Sequence, residues 1–310
     1  MCYIKCVKRL FQNSNEFKNV DFSIKQNNFP NALLVLSPDS ETNKQFVKEI
    51  ALSFFCNSHN FCSVCEGCIK TEKGTNPDLL IYPKEKTFQV ADAKEIVDSA
   101  IMAPMIFKNK IYVINDIDIS TIAAQNKILK VLEEPPTSVK FILTATNETK
   151  VLQTIMSRCV KVSLPAIDKQ TVKDFVSQVQ SDVDFDIAYA FGEGYLGRIQ
   201  FALENKNFKE LNLLADSIIN ELKSSKQIIE FSSKITKSKG NFEIILNLLQ
   251  IKFRKMLNLN NVSGYSKICI VSILDEILKV QKEMESNVLQ SIQADNLLMK
   301  ILELKYLYRS

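Results

Sequence analysis

The sequence contains little arginine, little excess charge and no long apolar run. Of its 39 cationic side chains only five are arginines, and 35 anionic side chains leave a net charge of +4. So small an excess argues against a protein that grips DNA by itself through bulk charge, although assisted contact stays open. No run of eighteen apolar residues occurs, so we expect no membrane span. The first residues, MCYIKCVKRLFQ, lack a secretory apolar region, and the cytoplasm is the expected compartment.

Short apolar runs alternate with helical patterns through the first half of the chain. Runs of four or five apolar residues are typical of buried strands, and the segments between them have helical spacing. This alternation predicts an α/β domain with a doubly wound parallel sheet, covered by helices on both faces. The predicted strands are 33–36, 79–82, 111–115, 141–145 and 160–163, and the predicted helices are 44–55, 90–103 and 120–133.

The strand pattern stops after Pro165, and the remaining chain has amphipathic helical spacing. We therefore expect an α/β domain over residues 1–163, a small helical domain over 164–205 and a helical C-terminal domain over 206–310. The predicted helices are 169–180, 187–203, 208–222, 242–257, 268–284 and 287–308, with loops at 240–241 and 258–266.

The first strand runs into SPDSETNKQF, where a phosphate-binding loop belongs. A working loop needs two glycines for backbone approach, a lysine for the phosphate oxygens and a hydroxyl for magnesium. Ser37, Thr42, Asn43 and Lys44 stand at these four positions. We therefore predict a degenerate loop that binds no ATP productively. A slipped use of Lys44, one residue late, is the alternative.

Two later strand ends carry polar residues that an ATPase would use. Asp116 and Asp118 follow the third strand, where carboxylates hold magnesium and polarise water in an active site. Without the loop lysine we favour capping and solvation, with Asp118 as a possible cap of the next helix. Asn147 ends the fourth strand and either senses a γ-phosphate or forms local hydrogen bonds.

Eight cysteines in a chain of this type argue against a disulfide framework. Four are scattered, and four form a C-x5-C-x2-C-x2-C cluster whose thiolates predict a closed, structural zinc knuckle over residues 56–68. An iron–sulfur cluster, unligated thiols or a ligand role for His59 are the alternatives. The clustered residues are Cys56, Cys62, Cys65 and Cys68, and the scattered ones are Cys2, Cys6, Cys159 and Cys269.

Arg158 lies in a Ser157-Arg158-Cys159 tripeptide directly before the last predicted strand. In a chain that otherwise uses lysine, an arginine suggests a need for a planar, bidentate cation. From this edge of the domain it would reach a neighbour's nucleotide more easily than its own, and an arginine supplied in trans neutralises the transferring phosphoryl group. The alternative is an exposed arginine paired with a carboxylate.

Together these motifs resemble the clamp-loader subunits of bacterial DNA polymerase III. The resemblance covers most of the chain. The residues that carry it are the cysteine cluster 56–68, the Asn-Pro-Asp motif 76–78, the acidic strand end 116–118, the segment 123–136 ending in Leu-Glu-Glu-Pro-Pro, and the segment 154–159 ending in Ser-Arg-Cys.

The resemblance implies an AAA+ domain, a helical lid and a helical collar that assembles subunits into a ring. A chain with the arginine tripeptide and the knuckle but no loop lysine resembles the delta-prime type, which hydrolyses nothing itself. Its arginine serves the ATP site of a neighbouring motor subunit. The implied partners are the motor (gamma/tau) and delta subunits, the sliding clamp and primer-template DNA. An ATP-binding gamma/tau-like motor and a zinc-dependent nucleic-acid-binding module are the alternatives.

Overall fold

The computed structural model describes residues 9–59, 61–238, 240–258, 265–284 and 289–308. Contacts divide the chain into two units. The first comprises Met1–Val176 with Tyr195–Gly197, and the second comprises Ser177–Gly194 with Arg198–Ser310. The expected division into domains 1–163, 164–205 and 206–310 stays a prediction.

A five-stranded, wholly parallel sheet forms the centre of the first unit, in the order β2-β3-β4-β1-β5. The α/β prediction is confirmed, and each strand begins and ends within two residues of its expected position. The strands are β1 Ala32–Leu36, β2 Leu79–Tyr82, β3 Lys110–Ile114, β4 Val139–Ala145 and β5 Val160–Ser163.

Seven helices accompany the sheet in the described part of this unit. Three of them, α1, α3 and α6, were not expected from the sequence. Phe17, Val20 and Ile24 of α1 have the spacing of one buried helical face, so that pattern could have been found. The helices are α1 Asn15–Lys25, α2 Ser40–Phe55, α3 Glu66–Glu72, α4 Val90–Ala100, α5 Ile122–Glu133, α6 Gln153–Met156 and α7 Lys169–Phe175.

The sheet has an apolar layer on each face because its strands alternate their side chains. Leu34 and Leu36 of β1 belong to a core shared with α4 and α5. Leu33 and Val35 point the opposite way and are also buried, and α2 contacts β1 and β4. Since all five strands are parallel, their carboxyl ends share one edge of the sheet. The predicted phosphate-loop and acidic residues follow β1, β3 and β4 at that edge.

The Asn-Pro-Asp motif has a structural role in this unit. The fully buried carboxylate of Asp78 accepts the backbone N–H groups of residues 105–107 at 2.6, 2.7 and 2.8 Å. Asn76 accepts the N–H of Asp78 at 3.0 Å through its side-chain oxygen. The motif therefore fixes the turn that leads into β3.

Two helix predictions between residues 169 and 205 are wrong. The helix expected over 169–180 ends at Phe175, and the helix expected over 187–203 is two helices, α8 Phe185–Gly192 and α9 Leu196–Glu204. Between these two, Glu193 and Gly194 have φ values of 53° and 82°, which a right-handed helix does not allow.

The second unit continues as helices, as the amphipathic patterns predicted. Among them α12 contacts α10 and α13, and α14 contacts α11 and α13. Lys252 forms an ion pair with Asp216 at 2.8 Å. The helix α11 was not expected. The helices are α10 Lys206–Glu221, α11 Ser225–Ile235, α12 Asn241–Asn258, α13 Lys267–Glu283 and α14 Gln290–Leu307.

Some predictions fall outside the described residues. They include Cys2, Cys6 and most of the loop expected over 258–266. Across the described ranges, every helix is too short or too polar to cross a bilayer.

Candidate functional site

The Asp39 carboxylate occupies the N-terminus of α2, where a phosphate would bind in a working loop. Its Oδ2 accepts the backbone N–H of Thr42 at 2.8 Å and the Thr42 hydroxyl at 2.6 Å. The same oxygen accepts the N–H of Gly197, in the first turn of α9, at 2.8 Å. A Cβ at position 197 would lie 2.6 Å from Asp39 Oδ1, so glycine permits this close approach. The chain's own anion therefore fills the anion-binding position.

Asn43, at the position of the loop lysine, holds the ends of two strands together. Its fully buried side chain donates from Nδ2 to the carbonyl of Ala145 at 3.0 Å and to that of Ser37 at 3.5 Å. Ala145 is the last residue of β4, and Ser37 directly follows β1. An amide supplies hydrogen bonds here but no positive charge for a phosphate.

Lys44, the alternative cation, is paired on the surface of α2. Its Nζ lies 2.8 Å from Glu41 Oε1, and 41% of its side chain is exposed. Partial burial alone would lower the pKa of Lys44, but the hydrogen bond and charge of Glu41, with the charges of Asp116 and Asp39, raise it overall. Lys44 therefore stays charged beside these carboxylates.

Asp116 and Asp118 both bind neighbouring protein groups after β3. Asp116 accepts the Ser40 hydroxyl at 2.7 Å, and its N–H donates to Thr144 Oγ1 at 2.9 Å. Asp118 Oδ2 accepts the Thr146 hydroxyl at 2.9 Å and the N–H of Asn147 at 3.0 Å. Asp118 thus ties the end of β3 to the end of β4.

The helix cap that Asp118 could have formed is absent from α5, because Thr121 caps that helix. The Thr121 hydroxyl accepts the N–H of Ala124 at 3.2 Å. Asn147 forms local hydrogen bonds, since its side-chain oxygen accepts the N–H and the hydroxyl of Thr149 at 3.0 and 2.7 Å. Both residues serve the local backbone.

The four clustered cysteines converge on one point beside α3. Their sulfur atoms all lie within 4.8 Å of one another, and the sulfurs of Cys56 and Cys62 are 3.8 Å apart. A tetrahedral zinc with Zn–S bonds of about 2.3 Å requires S···S distances of about 3.8 Å. The set Cys56, Cys62, Cys65 and Cys68 could therefore hold one metal ion.

Backbone N–H groups orient these sulfurs. The N–H groups of Cys62, Cys65 and Cys68 donate to the sulfurs of Cys56, Cys62 and Cys65 at 3.5, 3.3 and 3.5 Å. Burial would raise the pKa of Cys65, but the N–H donors of Cys68 and Asn57 lower it overall. Burial raises the pKa of Cys68. The cluster therefore contains thiols of unequal acidity.

His59 is not one of the converging groups. Its Nδ1 donates to the carbonyl of Ser53 at 3.0 Å, which ties the knuckle loop to α2. Gly67 of α3 packs so closely that a Cβ there would lie 1.8 Å from the carbonyl oxygen of Phe55. This contact places Cys68 beside Cys56 at the end of α2.

Arg158 follows α6 and forms two contacts through its guanidinium. Nη2 lies 2.8 Å from Glu133 Oε1, and Nη1 donates to the carbonyl of Thr154 at 2.9 Å. About a third of the side chain is exposed. This pairing with a carboxylate is the alternative that the sequence left open.

Ser157 and Cys159, the neighbours of Arg158, each contact groups of their own unit. The Ser157 hydroxyl donates to the carbonyl of Thr154 at 3.1 Å. Cys159 packs against the core shared with α4 and α5, and burial raises the pKa of its thiol to about 11. A thiol with a raised pKa is a poor nucleophile at neutral pH, so Cys159 is better suited to packing than to chemistry.

A protein-family model described as "DNA polymerase III, delta subunit" matches residues 12–168. This segment contains the phosphate-loop region, the cysteine cluster, the acidic strand end and Arg158, and it covers half of the chain. The chain belongs to the DNA polymerase III delta-subunit family.

Among curated proteins, DNA polymerase III tau and gamma subunits are similar to this chain. DNA polymerase III subunit tau/gamma of Haemophilus influenzae is 32% identical over 127 residues, which are 40% of this chain and 18% of that protein. DNA polymerase III subunit tau of Bacillus subtilis is 26% identical over 272 residues, which are 86% of this chain and 45% of that protein. The chain thus spans less than half of the length of each of these two relatives.

Two solved structures are similar to this family member at low identity. One is a DNA polymerase III gamma-subunit-related protein from Thermotoga maritima, with 20% identity, a TM-score of 0.42 and coverage of 94% of this chain and 100% of that one. The other is the Bacillus subtilis DNA clamp loader delta protein, with 10% identity, a TM-score of 0.36 and coverage of 93% and 99%.

Sequence reasoning missed the groups that complete these local structures. Asp39 has the sequence signature of a helix cap, an Asp directly before a helical segment, and could have been found. Its contact with Gly197 spans 158 positions and had no signal. The same holds for Ser40 with Asp116 and for Glu133 with Arg158, since nothing local couples those pairs.

We expect Asp39→Ala to lower the free energy of unfolding of the first unit by about 1 to 2 kcal/mol, because the cap of α2 is lost. Asp39→Asn should retain most of the stability, since its amide oxygen can still accept. Glu41→Ala is the matched control, because it removes the same charge from the same turn and breaks only an exposed pair. Urea denaturation of the three variants checks this. Equal losses in Asp39→Ala and Glu41→Ala would show that the cap contributes nothing.

Proposed function

We propose that this chain is a non-hydrolysing, delta-prime-type subunit of a bacterial DNA polymerase III clamp loader. In this proposal it has an AAA+ domain, a lid and a collar, and it works in the cytoplasm with motor (gamma/tau) and delta subunits. The assembled ring loads the sliding clamp on primer-template DNA. Arg158 acts in trans on the ATP site of the neighbouring motor subunit.

The observation that carries the proposal is the state of the phosphate loop. A negatively charged side chain, Asp39, takes the hydrogen-bond donors that a phosphate would need. Asn43 stands where the lysine of a working loop would be, and its buried amide donates to the carbonyl of Ala145. A phosphate brought to this place would meet the Asp39 carboxylate, which repels it at short range, and Asn43 offers it no positive charge. These features support a subunit that does not bind ATP productively.

The position of Arg158 supports a role outside its own phosphate loop. The arginine follows α6 and precedes β5, at the edge of the sheet. Its guanidinium is partly exposed and presents a planar set of N–H donors. An arginine finger needs this combination, because its planar N–H groups bind phosphate oxygens in two directions.

An ATP-binding, gamma/tau-like motor is the second candidate, since the curated relatives are tau and gamma subunits. Lys44 and one oxygen of Asp116 support it: among the described residues, Asp116 Oδ1 is buried without a hydrogen-bond partner. ATP binding would nevertheless require Asp39 to leave Thr42 and Gly197. The first proposal needs no such rearrangement.

We further propose that the metal of the cysteine cluster is zinc, with Cys56, Cys62, Cys65 and Cys68 as ligands. Four sulfur ligands leave no open position, so the metal would stiffen the knuckle and do no chemistry. The contact of Gly67 with Phe55 supports a knuckle that is packed onto α2.

We expect one zinc per chain in reduced protein, measured by elemental analysis. Cys65→Ser should lower the zinc content to well below one, because it removes a ligand. Cys269→Ser is the control, since Cys269 is buried in the second unit and is not one of the four converging cysteines. Iron in place of zinc, or full zinc occupancy in Cys65→Ser, would contradict this assignment.

We expect Arg158→Ala to slow ATP hydrolysis at the site that it serves by about 10³-fold, the usual loss when an arginine finger is removed. The measurement is single-turnover hydrolysis by the complex assembled with motor and delta subunits. Arg158→Lys should also be slow, because lysine lacks the planar fork. Lys161→Ala, which removes an exposed cation of β5, is the control. If the Arg158→Ala complex assembles and keeps its full rate, the finger role is wrong.

A further inference from the structure

The carboxylate of Glu133 is an anchor of the Arg158 side chain. Glu133 is the last residue of α5, and Arg158 lies 25 positions later, just beyond α6. Their contact joins Oε1 and Nη2 at 2.8 Å. The carbonyl of Thr154 accepts from the other terminal nitrogen, Nη1, at 2.9 Å. The two contacts therefore come from different elements and hold both terminal nitrogens.

These contacts fix the direction of the guanidinium without using all of its donors. Each terminal nitrogen carries two N–H groups, and the contacts with Glu133 and Thr154 account for one on each. Nη1 also lies 3.5 Å from Ser157 Oγ, at the limit of a hydrogen bond. Nε is buried and has no hydrogen-bond partner within the described chain. The second N–H of Nη2 thus remains for an incoming oxyanion while the plane of the group is held.

We propose that Glu133 is a positioning residue that holds Arg158 in the orientation needed to reach phosphate oxygens of a neighbouring subunit. The inference rests on the proposed finger role of Arg158 and adds a second residue to it. Glu133 itself does not contact the nucleotide, because its carboxylate and the phosphate are both anions and would repel each other at short range.

Because Glu133 and Arg158 are both partly exposed, their contact is better suited to positioning the guanidinium than to stabilising the fold. The Glu133 side chain is 58% exposed and that of Arg158 is 30% exposed, so water screens their attraction and the pair contributes little to folding. Orientation is different, because a long arginine side chain has many rotamers, and the contact with Glu133 restricts them. A reacting group that is misplaced by about 1 Å can lose up to about 10²-fold in rate.

Glu134 provides a matched control one residue away. It carries the same charge and is exposed, and its backbone N–H donates to the carbonyl of Lys130 at 3.2 Å. Removing Glu134 therefore changes the net charge of this surface as removal of Glu133 does, but leaves the contact with Arg158 in place.

The test compares single-turnover ATP hydrolysis by complexes that contain Glu133→Ala, Glu133→Gln, Glu134→Ala, Arg158→Ala or the double variant of Glu133 and Arg158. Glu133→Ala should lower the maximal rate on the order of ten-fold with little change in the ATP concentration needed for half-saturation. Glu133→Gln should restore most of the rate, because its amide oxygen still accepts from Nη2. Glu134→Ala should match the unmodified complex, and Glu133→Ala should add no loss to Arg158→Ala.

The outcomes separate this inference from the function on which it rests. If Arg158→Ala is slow while Glu133→Ala is normal, faster than normal or no slower than Glu134→Ala, the positioning role is overturned and the finger role stands. A separate additional loss in the double variant also overturns positioning, since Glu133 would then act independently of Arg158. A full rate in Arg158→Ala overturns both.

Discussion

The local structure around the phosphate loop depends on the hydrogen bonds that the Asp39 carboxylate accepts at the N-terminus of α2. That helix end offers unpaired N–H groups and a partial positive charge, which must be satisfied by an anion or by water. Here the chain supplies the anion itself, and Gly197 adds a further donor to the same oxygen. With this place filled by the chain's own carboxylate, the proposed role of Arg158 lies at the phosphate of a neighbouring subunit.

At the carboxyl edge of the sheet, polar residues stand at positions that an ATPase would use for catalysis, and here they form structural hydrogen bonds. Asn43 joins the ends of β1 and β4, and Asp118 joins the ends of β3 and β4. Such cross-links satisfy buried polar groups that would otherwise destabilise the sheet edge. Positions that an active ATPase would use for chemistry thus form hydrogen bonds between strands here.

Much of the fold could be predicted from sequence, because strands and amphipathic helices repeat their apolar residues with different periods. The five strands were found, whereas the break at Glu193 and Gly194 was missed because apolar residues continue on both sides of it. The convergence of the four cysteines could be anticipated from their spacing. The partners of Asp39 and Arg158 could not, since Gly197 and Glu133 are brought near only by the fold.

The central claim is that this subunit donates a catalytic group and does not use ATP itself. Equilibrium binding of ATP–Mg²⁺ to the purified chain, for example by calorimetry, tests this claim most directly. We predict no saturable binding at millimolar nucleotide, because Asp39 and Asn43 occupy the positions that should bind phosphate. Tight binding that is lost in Lys44→Ala would contradict the account and identify the chain as a motor subunit.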